Sequence, residues 1–153
     1  MKIFIAAFLL ISTLSADLHV GENFPKLTLV DQFDAKTKVP TTGRATLILS
    51  FEKDVSSEIK TYLDTKEKDF LTLNNVMYIS DISGMPSMIT SWFAIPKMKK
   101  FTFKVSLIYE EKESILIDHK EGKVTVITLK DNTIRSMEFV EAKNLDKVLN
   151  RVL

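Results

Sequence analysis

The spacing of apolar positions changes several times along the chain, and each change marks an element. Two short runs, Thr46-Leu-Ile-Leu-Ser-Phe51 and Val76-Met-Tyr-Ile-Ser80, are mostly apolar and β-favouring, the pattern of strands covered on both faces. Between them Ile59, Tyr62 and Leu63 recur at helical spacing with Phe70 two turns on, while Lys60, Asp64 and Glu67 fall elsewhere on the wheel. This spacing predicts an amphipathic crossover helix, with Ser56 or Asp54 as its cap, because a side-chain oxygen there accepts from an amide that lacks an intrahelical partner. Strand, helix and strand in that order predict a right-handed βαβ unit with parallel central strands.

Beyond Ser83-Gly84-Met85, Pro86 suits the first position of a second helix, where its missing N–H costs nothing. Met88, Ile89, Trp92 and Phe93 form one apolar stripe on it, and Pro96 is expected to end or kink it. Phe101, Phe103, Val105, Leu107 and Tyr109 then alternate with mostly polar neighbours, which predicts a half-buried strand. Val124–Leu129 and Ile134–Val140 read as a hairpin joined through Lys130-Asp131-Asn132-Thr133. Asn144 is expected to cap a closing helix with Leu145, Val148, Leu149 and Val152 on one face. The series is β-α-β-α-β-β-α.

The chain begins differently. Lys2 precedes an uncharged apolar run from Ile3 to Ile11, and small polar residues follow, the order of a secretory signal peptide. Nine residues are too few for a span, which takes about 20 mostly apolar residues. Residues 1–16 are therefore expected to be a signal peptide, with cleavage after Ser15 or Ala16 both open, and residues 17–153 a single domain. That places the protein in the periplasm or outside the cell, soluble after cleavage and tied to a membrane only through an uncleaved signal.

Composition narrows the chemistry. Lys plus Arg numbers 21 against 20 for Asp plus Glu, so no strong net field draws the chain to nucleic acid. There is no cysteine, which excludes disulfides, thiolate metal sites and thiol redox chemistry carried by this chain alone. A bacterial lipoprotein anchor, which needs a cysteine at the new N-terminus, is closed for the same reason. With two histidines and no metal-ligand spacing, no metal site and no cofactor is expected.

Gly21-Glu-Asn-Phe-Pro25, Leu27 and Leu29, then Asp31-Gln32, resemble the opening of redoxins and peroxiredoxin-like proteins, which commonly read G-x-x-x-P, an apolar strand and D-x-x-G. Gly43-Arg44 before Thr46 looks like their Gly-Lys before the first central strand. The resemblance to the thioredoxin-like superfamily covers about residues 20–152 and implies an α/β fold, a three-layer α/β/α sandwich around a central mixed sheet. It also implies where activity is missing. Counted from Phe51, the C-x-x-C of the reductases falls on Ser56 and Ile59, and His119-Lys-Glu-Gly-Lys123 before Val124 lacks the family's proline. The scaffold is implied without its redox chemistry.

Each candidate residue has a bland alternative. Ser56 stands where the family keeps its nucleophile, yet neither His19 nor His119 has a spacing that supplies a base, and a helix cap explains it better. Asp81-Ile-Ser-Gly-Met-Pro86 would lie beyond the carboxyl end of a central strand, where ligands collect in open α/β sheets; turn formation by Asp81, Ser83 and Pro86 is the plainer reading. The Met85, Met88, Trp92 and Phe93 surface suits an adaptable partner, but such stripes are usually core, with Met98 the more exposed member. Lys97, Lys99 and Lys100 suit a helix C-terminus in water, and Glu110, Glu111 and Glu113 a polar loop.

No catalytic residue is expected. The expected binding residues are Ser56, Asp81, Ser83, Met85, Pro86 and Lys123, gathered where the Asp54–Ser57, Asp81–Pro86 and Lys120–Lys123 loops meet. The expected function is a redox-inactive module that binds an envelope protein or peptide. An enzyme rebuilt around Ser56 and Asp81, or a structural envelope adaptor, are the alternatives. Met85 and Asp81 are expected to be exposed and Trp92 to be core.

Overall fold

The computed structural model describes residues 17–153; the expected signal segment lies outside them. Seven strands form one mixed sheet: β1 (Leu29–Asp31), β2 (Lys36–Thr37), β3 (Arg44–Ser50), β4 (Val76–Asp81), β5 (Ser106–Ile108), β6 (Val124–Lys130) and β7 (Thr133–Val140). Their order is β2-β1-β5-β4-β3-β6-β7. β3 and β4 are parallel, with Ser50 beside Ser80, as are β4 and β5; the other pairs are antiparallel. The expected crossover is α1 (Lys53–Leu63), which buries Val55, Ile59 and Leu63 and is followed by the short α2 (Phe70–Leu73).

Six of the seven β3 residues are buried because both sheet faces are covered. On one face Ile48, Tyr78 and Val126 pack with Ile59 of α1 and with Leu145 and Leu149 of the closing helix α6 (Leu145–Val152). On the other, Leu47, Leu49, Ile79 and Ile127 meet Phe24 and Leu27 of the N-terminal segment and Ile117, which follows α5 (Glu111–Ser114). The second layer is thus mostly irregular chain with one helical turn. The β6–β7 turn is built as read: Asp131 and Asn132 take φ of 51° and 62°, the left-handed pair of a two-residue hairpin.

Pro96 neither ends nor breaks its helix. α3 (Ser87–Ile89), a π-helical turn (Thr90–Ala94) and α4 (Ile95–Met98) run on continuously. Proline lacks an N–H, and its ring collides with the carbonyl four residues back in a regular α-helix. Here the Ile95 N–H bonds to the Thr90 carbonyl, five residues back, so the widened turn just before Pro96 absorbs the misfit.

The strand expected over Phe101–Tyr109 is shorter. Only Ser106–Ile108 pairs with β4 and β1. Phe103 and Val105 are buried as the alternation implies, but a side chain stands in for the ladder: Gln32 Nε2 donates to the Phe103 carbonyl (2.9 Å) and Gln32 Oε1 accepts from the Val105 N–H (3.1 Å).

Asp31 ties the turn after β1. Its Oδ1 accepts from the Phe33 and Ala35 amides at 2.9 and 3.0 Å, and Lys104 lies 3.3 Å from Oδ2. Asp34 stands at the glycine position of D-x-x-G with φ of 64°, a conformation aspartate accepts more readily than most residues. Burial of Asp31 opposes its ionisation, but the two amides and Lys104 outweigh it and hold the carboxyl below its ordinary value. A lowered folded-state pKa stabilises above the unfolded value, and that stability is lost as pH falls through the folded one. Asp31→Asn is therefore expected to cost about 1 kcal/mol at pH 7. Urea unfolding should show the gap closing as pH falls below the usual carboxylate range.

Candidate functional site

The carboxyl ends of β3 and β4 carry a cluster of polar side chains. Ser50 and Ser80, paired in register, and Tyr78 are all buried. Ser56 Oγ donates to Ser50 Oγ (2.8 Å) or to the Glu52 carbonyl (2.9 Å), and lies 3.3 Å from Ser80 Oγ. Ser50 Oγ is in turn 3.0 Å from Tyr78 Oη. Burial pushes the Tyr78 phenol above its ordinary value, against the Ser50, Ser56 and Ser80 hydroxyls.

Ser56 is thus not a cap. Only Phe51 and Glu52 separate β3 from α1, so the helix begins at Lys53, and Ser56 sits one turn inside with its hydroxyl turned inward. Counting from Phe51 presupposed a longer connection. Neither imidazole is bonded to the cluster. His119 stacks on Phe51, ring centroids 4.3 Å apart, with Nδ1 3.4 Å from the Ile117 carbonyl, while His19 is tied through its backbone N–H, which donates to Glu22 Oε2. Among the described residues no base lies at hydrogen-bond distance from these hydroxyls, which bond to one another and to the Glu52 carbonyl.

A groove of about 310 Å³ opens above this network. One wall is the α1 stripe Lys53, Ser56, Ser57 and Lys60; the other is Ile89, Phe93 and Lys97; Met98 and Phe101 line it between them. Asp81, Ile82 and Met85 also line it, and they line a second, more open depression with Phe51, Ser114 and His119. The structure therefore brings Ser56, Asp81 and Met85 together. Ser83 lines only the second depression, and exposed Pro86 lines neither. Lys123 also lines neither, pairing instead with Glu141 at 3.2 Å. Its loop does reach the residue just before α1, but through Gly122, whose N–H donates to Glu52 Oε1 at 2.7 Å.

Asp81 and Met85 are not the exposed members of this surface. Asp81 Oδ1 accepts from the Ser83 N–H (2.9 Å) and Oδ2 from Ser114 Oγ (2.5 Å), so its carboxylate fastens the loop to α5. Met85 is half-buried against the core. The stripe read as core is instead the outward face: Trp92 is 65% exposed, Phe93 64%, Met88 60% and Ile89 46%. Thr90 is buried on the inner side, with Ile95 and Met98 packed against the core, so Met98 is the more covered residue. The helix is apolar on two faces, and only one has a partner among the described residues.

Sequence reading missed Ser50, Ser80 and Tyr78, whose signal is two polar residues closing two otherwise apolar runs. It also missed the Lys53-Ser56-Ser57-Lys60 wall, whose spacing marks one helix face. Among the described residues no group of three or more His, Asp or Glu could hold a metal, and no helix is long and apolar enough to cross a membrane.

No family model and no curated protein matches the sequence. Solved structures do. A peroxiredoxin-like protein from Aquifex aeolicus superposes with a TM-score of 0.56 at 15% identity, over 89% of this chain and 86% of that one. The thioredoxin domain of a thiol-disulfide oxidoreductase from Bacteroides vulgatus gives 0.57 at 11% identity, over 90% and 100%. The reduced 2-Cys peroxiredoxin of Plasmodium vivax gives 0.56 at 14%, over 89% and 81%. Such identities speak to architecture alone, and the mixed sheet with its packed helices matches: the chain has the thioredoxin-like fold, without a single cysteine.

Proposed function

We propose that the chain is an exported, redox-inactive thioredoxin-like domain that binds a protein or peptide segment in the periplasm or outside the cell. The observation that carries the binding reading is the outward apolar face of the 87–98 helix beside the groove. A contiguous patch of large apolar side chains left in water marks an interaction surface, because burying it against a partner is favourable. Soft methionine and rigid aromatic side chains together suit an adaptable contact. The absence of cysteine supports redox inactivity, and the charge and hydropathy order of residues 1–16 supports export.

Two measurements test the proposal's other parts. Protein recovered from the exported compartment is expected to have a mass corresponding to cleavage after Ser15 or Ala16; a mass retaining Met1 contradicts export with signal removal. The purified protein is expected to leave insulin disulfides and hydrogen peroxide unchanged, and turnover above buffer contradicts redox inactivity.

A further inference from the structure

Resting on the groove reading above, we infer that the segment it takes is acidic as well as apolar: a peptide stretch whose large apolar side chains are flanked by carboxylates. The groove's charge is one-sided. Lys53, Lys60 and Lys97 line it, and Asp81, the one carboxylate there, already has both oxygens engaged by Ser83 and Ser114. Lys53 and Lys97 enter no ion pair among the described residues, and Lys60 pairs only with Asp64 on its own helix. Asp54 and Glu58 of α1 lie off the groove-facing stripe. The helix side continues the pattern: the 28 residues from Ile82 to Tyr109 contain no Asp or Glu and four lysines, Lys97, Lys99, Lys100 and Lys104.

Other occupants fit less well. A second copy docked symmetrically through this face would bring two lysine-lined surfaces together, and like charges at an interface are repulsive. A bilayer is flat on this scale; it reaches Met88 and Trp92 but not Ser56, Met98 and Phe101 inside the groove. A chain segment reaches both. Lys53 to Lys60 is two helical turns, about 11 Å, which matches three or four extended residues. Apolar side chains would meet Ile89 and Phe93, with carboxylates at either end near Lys53 and near Lys60 and Lys97.

Random twelve-residue peptides displayed on phage, panned on the full purified chain at low salt, test this. Enriched sequences are expected to be net acidic with large apolar residues. A synthetic copy of one should shift the emission of Trp92, the only tryptophan, to shorter wavelength on binding. Lys53→Gln with Lys97→Gln should raise its Kd about fivefold or more at an unchanged thermal midpoint. Neutral or basic peptides that are lost on Ile89→Ser with Phe93→Ser would overturn the acidic partner while leaving the groove reading intact. No enrichment would overturn both. Phosphatidylglycerol vesicles that shift Trp92 emission while no peptide is retained would put a bilayer on this face and overturn the inference.

Discussion

Replacing Ile89 and Phe93 together by serine is expected to weaken partner binding by about 30-fold or more while leaving the thermal midpoint nearly unchanged. Truncating a central interface anchor commonly costs about 2 kcal/mol, which is roughly a 30-fold change in Kd. Folding bears little of that cost. Phe93 is 64% exposed and Ile89 46%, so their truncation removes few intramolecular contacts, and such surface changes usually stay within about 0.5 kcal/mol. Titration of the same peptide into both proteins, with thermal unfolding alongside, checks the split. A midpoint that falls together with affinity would mean that these side chains hold the domain together and do not meet a partner.

Gln32→Leu is expected to destabilise the fold by about 3 kcal/mol, the larger of the two stability effects foreseen here. Gln32 is 1% exposed and serves two backbone groups of the 101–105 segment, accepting from the Val105 N–H and donating to the Phe103 carbonyl. Leucine fills similar space but leaves both unpaired, and each buried unpaired group costs about 1–3 kcal/mol. Gln32→Glu sharpens the test, since an ionised carboxylate still accepts from Val105 but cannot donate to Phe103 and adds a buried charge. Urea unfolding of both variants should show lowered stability. Either variant matching the wild type would mean that the 101–105 segment is held by the packing of Phe103 and Val105 alone.

The distribution of successes along the chain has a physical origin. β3, β4, β6, α1 and α6 were legible because their apolar positions are covered, so pattern and burial coincide. The Asp131-Asn132 turn was legible because few residues accept its angles. The 87–98 helix misled for the complementary reason. Periodicity reveals that Met88, Ile89, Trp92 and Phe93 share a face, but not whether anything lies against it. Thr90, Ile95 and Met98 form the inner side, a set whose spacing the π-turn disguises. At Phe101–Tyr109 the alternation was real packing without a full ladder, because the distant Gln32 supplied the missing hydrogen bonds. Ser56 was misplaced by the length of one loop: a two-residue connection starts α1 at Lys53 and converts a supposed cap into a member of the buried hydroxyl network. Of the residues expected to bind, the structure brings Ser56, Asp81 and Met85 together, while Lys123 is drawn away to Glu141.

The binding reading meets its most direct test in photo-cross-linking in intact cells that produce the protein. A benzoylphenylalanine at position 93, on the groove, is compared with one at position 33, where Phe33 is similarly exposed at 57% in the turn between β1 and β2. Both replacements keep an aromatic ring at an exposed site, so folding is equally spared. A discrete polypeptide adduct from position 93 and none from position 33 is the expected result; no adduct from 93, or the same adducts from both, would contradict it.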